Sequence, residues 1–333
     1  MSRLDPYSEH SRRMNKVLDY IDRHLERPLD LTAIAQQAHL SPFHFHRVFA
    51  AWIGETPGDY LRRRRMEAGA AMLVSQPRAR VLDVALATGF GSAEAFTHTF
   101  RRHFGQSPTQ WRRDAPGRHA GELARARARS RIALHDSKPG QAIGNIDQAR
   151  GNPDQVADAG VTDDGGRHPH LKDNPMQVTI VERTPVRFAC LRHIGPYGTD
   201  VGSFWMNTIY PWMVGNGLMG RPRIGISLDD PTVTPHGKCR YDAGVEVPDD
   251  FVASGPTLVG TLPGGRYAVA GFVSTIEEFG DGWTRLLRDW LPASGLQLDA
   301  RPCFEYYPVD AEPYDPTTGR LGYQICIPVR APG

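Results

Sequence analysis

The strongest constraint on this chain is an internal repeat near its start. Phe45, Phe49, Gly54, Pro57 and Tyr60 recur about fifty residues later, at one constant offset, as Phe96, Phe100, Gly105, Pro108 and Trp111. Such a repeat means two copies of one supersecondary unit, with the apolar positions of each in matching places. Within each copy the apolar residues follow the helical period. Leu31, Ile34, Ala35 and Ala38 share a face behind Asp30, which has the chemistry of an N-cap. His39-Leu40-Ser41 predicts a tight turn, and Pro42 opens the next helix where its missing N–H costs nothing. There Phe45, Val48 and Phe49 point inward and His44, His46 and Arg47 outward. The second copy runs from Val81 to Thr88, turns at Gly89-Phe90-Gly91, and continues in a helix capped by Ser92 with Phe96 and Phe100 inward. Between the copies, Tyr60 to Leu73 reads as one connecting helix carrying Arg62-Arg63-Arg64-Arg65. This predicts an all-α N-terminal domain of two helix-turn-helix units joined by a long helix.

A chain of 333 residues exceeds one ordinary core, and its composition divides it in three. Residues 8–113 are helical in pattern throughout. Residues 114–175 carry few large apolar groups and are basic first, then acidic, as expected of a flexible linker. Arg125, Arg127, Arg129 and Arg131, set among alanines, suit either a phosphate-contacting arm or a solvated tether. From Met176 the pattern turns to strands. Charge follows the same division: residues 1–115 hold 17 Lys+Arg against 12 Asp+Glu, and residues 176–333 hold 13 against 17. A basic front and an acidic back suit a polyanion at one end only.

The four cysteines, Cys190, Cys239, Cys303 and Cys326, are well separated and form no C-x-x-C pair, which argues against a metal site or a disulfide framework. No metal or other cofactor is expected. No apolar run has the length of a signal peptide core or a membrane span, so the expected location is the cytoplasm, with no membrane partner.

The third region repeats itself too. Thr184 to Ala189, Pro222 to Gly225 and Tyr241 to Pro248 are matched by Gly265 to Ala268, Pro302 to Glu305 and Leu321 to Pro328. Pro222 pairs with Pro302, and Pro248 with Pro328, at one constant offset. Each half reads strand–helix–strand–strand, predicting a duplicated α+β C-terminal domain over residues 176–330. Glu305 stands where the other half has Gly225. Strand alternation puts Phe304 and Tyr306 on one face and Cys303, Glu305 and Tyr307 on the other. An inward carboxylate is costly unless an arginine, a hydrogen-bond network or a ligand cation pairs with it, and the missing side chain at Gly225 suggests open space opposite.

The run Leu40-Ser41-Pro42-x-His44-Phe45-x-Arg47-x-Phe49, with Gly89-Phe90 and Phe100-Arg101-Arg102-x-Phe104-Gly105-x-Ser107-Pro108, closely resembles the DNA-binding domain of the AraC/XylS family. The resemblance implies seven helices and double-stranded DNA as partner, with one recognition helix per unit entering successive major-groove segments. By position in the motif the first presents Phe43, His46 and Arg47, and the second Ala93, Glu94, Thr97 and His98. Arg47 suits guanine, Phe43 a thymine methyl and Glu94 cytosine N4. Arg101, Arg102, Arg112 and Arg113 suit phosphate contact. Ala93 and His98 depart from the family's usual residues, so the second helix is expected to discriminate less.

The back half resembles the GyrI-like effector-binding domains, through Arg192-His193-x-Gly195-Pro196-Tyr197, Arg240-Tyr241-Asp242-Ala243, Leu262-Pro263-Gly264-Gly265-x-Tyr267-Ala268-Val269, Phe304-Glu305-x-Tyr307 and Ile327-Pro328. That resemblance implies a small-molecule effector, lipophilic and often cationic, in a cleft between the halves with a strand glutamate as counter-charge. Glu305 takes that place, and Tyr197, Trp212, Tyr267, Trp283 and Tyr307 are candidate aromatic walls. The leading expectation is a ligand-responsive transcription regulator rather than an enzyme. Two others stand beside it: a hydrolase-like back domain using Glu305 with Tyr267 or Tyr307, and a module binding a protein partner. A flexible linker transmits no strain, so the effector is expected to act through docking of the domains or recruitment of RNA polymerase.

Overall fold

The computed structural model describes residues 6–28, 30–76, 78–114, 176–299 and 301–331. All but the first residue of the expected linker, including Arg125, Arg127, Arg129 and Arg131, lies outside them.

The front region holds seven helices among the described residues: α1 (Pro6–Asp22), α2 (Leu31–Gln37), α3 (Pro42–Ile53), α4 (Pro57–Ser75), α5 (Val81–Ala87), α6 (Ala93–Phe104) and α7 (Pro108–Arg113). Their starts follow from capping chemistry. Asp30 accepts from the Thr32 N–H at 3.0 Å, and Ser92 from the Ala95 N–H at 3.1 Å. Prolines open α3, α4 and α7, where no intrahelical donor is lost. The repeated glycines have a shared cause: Gly54 and Gly105 end α3 and α6 in the left-handed region, each at φ 75°. In the turns between α2 and α3, and between α5 and α6, the left-handed position is held by His39 and Gly89 respectively.

Two cores result. Met14, Val17, Leu18 and Ile21 of α1 pack with Ile34, Phe45, Phe49 and Tyr60; Met66, Ala70 and Leu73 of α4 pack with Val84, Phe96, Phe100 and Trp111. Helix α4 therefore belongs to both units, with Tyr60 in the first core and its later turns in the second. Phe96 lies so close to α4 that a Cβ on Gly69 would sit 2.7 Å from its ring.

The back region is an antiparallel sheet of nine strands among the described residues. They are β1 (Val178–Arg183), β2 (Val186–Ile194), β3 (Arg223–Ser227), β4 (Arg240–Glu246), β5 (Leu258–Leu262), β6 (Gly265–Ser274), β7 (Gln297–Leu298), β8 (Phe304–Tyr307) and β9 (Leu321–Arg330). Their order is β1-β6-β9-β8-β3-β4-β2-β5, with β7 on β9. The predicted strand–helix–strand–strand halves are there, each with an extra leading strand, β1 or β5. Those leading strands are exchanged: β1 pairs with β6 of the second half, and β5 with β2 of the first. The halves meet where β3 pairs with β8, and Gly225 lies directly opposite Glu305.

Each half contributes a helix broken at the same place. In the first, α8 (Thr199–Phe204) passes through a π-helical turn, Trp205–Ile209, into α9 (Tyr210–Gly215). In the second, α10 (Phe279–Thr284) passes through Arg285–Trp290 into α11 (Leu291–Ala293). Both helices cover one sheet face, which holds Leu191, Ala243 and Val245 in one half and Ala268, Tyr307 and Ile325 in the other. The opposite face carries Phe188, Ile224, Tyr267 and Phe304.

Phe49 and Phe100 are fully buried at equivalent places in the two cores. Phe49→Ala and Phe100→Ala should each lower the stability of the helical region by about 3–5 kcal/mol, measured as the shift in urea unfolding followed by helical circular dichroism.

Candidate functional site

The outer faces of α3 and α6 carry the predicted DNA contacts. Burial of Phe45 and Phe49 turns Phe43, His46 and Arg47 to solvent, and Phe43 keeps 70% of its surface exposed. A large apolar ring so exposed has no role in the core. Arg47 lies 6.0 Å from that ring, so the two form one cationic, apolar-edged surface. On α6, Glu94 and His98 are exposed and Thr97 is half-buried beside the Phe96–Phe100 core. Arg101 and Arg102 are exposed in the last turn, where positive charge also complements the helix dipole. Arg112 is half-buried and donates to the Ala79 carbonyl at 2.7 Å, so it braces the second unit rather than reaching outward. The basic run on α4 divides similarly: Arg62 is exposed and pairs only with Asp59 at the surface, whereas Arg63 and Arg64 are drawn into enclosed ion pairs and Arg65 binds the carbonyls of Leu25 and Arg27.

In the sheet region Glu305 is 4% exposed and lies under the two broken helices. Tyr241 donates to Oε2 at 2.5 Å, Tyr307 to the same oxygen at 3.3 Å, and the Trp283 indole N–H to Oε1 at 3.2 Å. All three partners are neutral, and burial holds both tyrosines well above their usual pKa, so they stay as donors. Trp205 flanks Tyr307, with ring centres 5.9 Å apart, and packs against the cores of both halves. A hydrogen bond to a charged group contributes about 1.5–3 kcal/mol, while desolvating a carboxylate costs several. Burial raises the Glu305 pKa above the usual glutamate value, and the three hydrogen bonds counter it only in part.

Glu305 thus neither faces solvent nor joins an arginine; a neutral network holds it. Gly225 does not leave open space, either. A Cβ there would lie 1.8 Å from the Tyr241 hydroxyl and 2.6 Å from Glu305 Oε2. The missing side chain is what lets Tyr241 cross β3 to reach the carboxylate.

Of the predicted aromatic walls, Trp283 and Tyr307 meet at Glu305. Tyr267 does not, because strand alternation places it on the opposite sheet face against Phe304, under the Arg301 guanidinium. Trp212 is held by a bond from its indole N–H to Thr257 at 3.1 Å. Tyr197 binds backbone instead, its hydroxyl lying 2.8 Å from the Arg240 carbonyl and 3.2 Å from the Asp229 N–H. Tyr241 and Trp205 are the additions that sequence reasoning missed. Tyr241 reaches Glu305 only through the β3–β4 register, although its motif and the gap at Gly225 were both visible in the sequence.

No helix among the described residues is long and apolar enough to cross a membrane, and none of their His, Cys, Asp and Glu side chains cluster to hold a metal ion.

Comparison with known proteins agrees with both halves. Residues 34–114 match the helix-turn-helix domain model, and residues 176–330 match the GyrI-like small molecule binding domain. The SPbeta prophage-derived YosT of Bacillus subtilis (strain 168) is 35% identical over 133 residues, covering 40% of this chain and 89% of YosT. The regulatory protein SoxS of Escherichia coli (strain K12) is 30% identical over 103 residues, 31% of this chain and 95% of SoxS. The transcriptional regulator Rob of Salmonella typhimurium (strain LT2) is 35% identical over 99 residues, 30% of this chain and 34% of Rob. With its duplicated helix-turn-helix front and its sheet of two exchanged halves behind, the chain belongs to the AraC/XylS family of DNA-binding transcription regulators and carries a GyrI-like small-molecule-binding domain.

Proposed function

We propose that the protein reads DNA through α3 and α6 and that its activity is modulated by a lipophilic organic cation, with Glu305 as the counter-charge. The observation that supports this most is a fully enclosed carboxylate whose bonded partners are all neutral. A carboxylate desolvated for structure alone would be served better by an arginine, or replaced by an apolar residue at little cost. A cation entering between Trp283, Tyr307 and Trp205 supplies the missing charge and gains about 0.5–2 kcal/mol from each ring it faces. Glu305 is enclosed beneath the helices, so entry needs them to shift. The π-helical turns at Trp205–Ile209 and Arg285–Trp290, where the regular bonding ladder is already interrupted, are the places to give. The same reading puts the protein in the cytoplasm with its DNA and includes RNA polymerase as a second partner.

Titrating the full chain with tetraphenylphosphonium, followed by tryptophan fluorescence, tests the pocket. Saturable quenching in the wild type, weakened at least about tenfold in Glu305→Gln, is the expected result. Equal binding by both forms removes Glu305 as counter-charge, and no binding by either removes the cation. Turnover of an electrophile that vanishes in Glu305→Gln would instead favour the hydrolase reading.

The raised pKa of Glu305 has a definite sign in stability. The folded protein holds this proton more tightly than the unfolded chain, so the contribution is complete below the unfolded value and is lost as pH rises through the folded one. Urea midpoints of wild type and Glu305→Gln should therefore diverge upward from about the usual glutamate value of 4.5, in favour of the variant. Cation affinity should rise across the same window in the wild type and stay flat in the variant.

On DNA, Arg47→Ala should cost about 1–3 kcal/mol and relax preference at one base position. Arg101→Ala should weaken binding to all duplexes alike and reduce the salt slope by about one. Fluorescence anisotropy with selected and scrambled duplexes separates the two, and a uniform loss from Arg47→Ala would remove it from base contact.

A further inference from the structure

The two regions touch through a cluster of charges that the DNA and effector sites leave unused. From the front come Asp19 and Asp22 of α1, Glu55, and Tyr60 and Arg64 of α4; from the back come Arg192, Asp229, Lys238 and Arg240. Across the junction Arg192 meets Asp19 at 2.7 Å, Arg240 meets Asp22 at 2.7 Å, Arg64 meets Asp229 at 2.5 Å and Lys238 meets Glu55 at 2.9 Å. Arg240 also donates to the Tyr60 hydroxyl at 3.0 Å. Val233 adds an apolar contact to the core of the second helix-turn-helix unit. The groups at the centre are deeply enclosed: Arg240 is 2% exposed, Tyr60 1% and Asp229 8%. Paired carboxylates so placed ionise more readily than usual, as Asp22 and Asp229 do beside Arg240 and Arg64.

The same strand serves the effector site. Arg240 and Tyr241 are consecutive in β4, so their side chains leave opposite faces. Arg240 points to the front region and Tyr241 to Glu305. Tyr197 ties the start of the strand from above, bonding to the backbone of both Asp229 and Arg240, with its ring 6.2 Å from that of Tyr241. At the other end of the chain of contacts stands α4, the helix shared by both DNA-reading units.

We infer that this junction is an intramolecular lock whose state is set through β4: Tyr241 bound to Glu305 holds Arg240 on Asp22 and Tyr60, and an effector that takes Glu305 from Tyr241 loosens α4 and α1 from the sheet. The lock itself stands on the contacts alone; only the identity of what turns it rests on the reading of Glu305 as the effector's counter-charge. Coupling then needs no strain through the linker, and it reaches both recognition helices at once because they share α4.

Hydrogen exchange of the full chain, followed in peptides from α1, α4 and β4, tests the lock. Asp22→Asn should speed exchange in β4, across the junction, by about tenfold, with Asp22→Glu restoring most of the protection. Tyr241→Phe, which removes only the hydroxyl on the effector face, should speed exchange in α1 and α4 by a comparable factor. Unchanged β4 exchange in Asp22→Asn would show that the regions do not dock in solution. Tyr241→Phe effects confined to the sheet would show that β4 carries no signal. Because Asp22→Asn leaves the sheet's own Asp229–Arg240 pair intact, and helical circular dichroism confirms the front is folded, loss of fold does not imitate the result. Tetraphenylphosphonium that saturates the tryptophan signal yet leaves α1 and α4 unchanged also overturns the coupling. Failure of that cation to bind counts against the effector class, and the Tyr241→Phe arm still decides the lock.

Discussion

Arg240 is almost wholly withdrawn from water, and a guanidinium in that position has to be surrounded by acceptors or the fold around it fails. Asp229 supplies a two-pronged pair from its own region, and Asp22 and Tyr60 complete the shell from the helical one. With the regions docked, the acceptors on the far side of the guanidinium come from the helical region alone. Buried ion pairs of this kind add little net stability beside an apolar contact of equal size, yet removing one partner costs several kcal/mol. Such an arrangement gives a definite geometry at small net gain. It suits a joint that must close one way and still open.

Glu305 follows the opposite rule a short distance along the same sheet. Its shell is two phenols and an indole, which offer hydrogen bonds but no opposite charge, and burial prevails in raising its pKa. The two sites divide the labour of a responsive protein: one charge is satisfied from within the chain and fixes a contact, and the other is left dependent on what arrives from outside. The doubling of the sheet domain explains where the second one sits. The axis between the halves runs through the β3–β8 pair, and a carboxylate on one side needs glycine on the other.

Much of this was legible in the sequence. The repeated Phe, Gly, Pro and aromatic positions of the front half foretold two cores, and each residue type had one physical reason to be there. The constant offset between Pro222 and Pro302 foretold the duplicated sheet. What alternation could not give was register. Tyr267 and Tyr307 look equally suited to a pocket, yet lie on opposite faces; Tyr241 lies in the neighbouring half and reaches Glu305 only across a glycine. The run Arg62 to Arg65 has the composition of a phosphate-binding patch, yet all four members bind the protein itself, and only Arg62 does so from an exposed position. Composition cannot separate an arginine that faces DNA from one that faces a carboxylate, because that distinction arises only when distant segments meet.

The exchange of β1 and β5 has a consequence for the autonomy of the sheet domain. Each half completes its edge with a strand borrowed from the other. A lone half would expose an unpaired ladder beside its second strand, and the simplest way to cover it is a second molecule offering the same strand in return. Within one chain the two halves cover each other's edges in the way a strand-swapped pair of molecules would. Because both halves lie in one chain, the axis can hold a glutamate on one side and a glycine on the other, which a symmetric assembly of identical chains could never do.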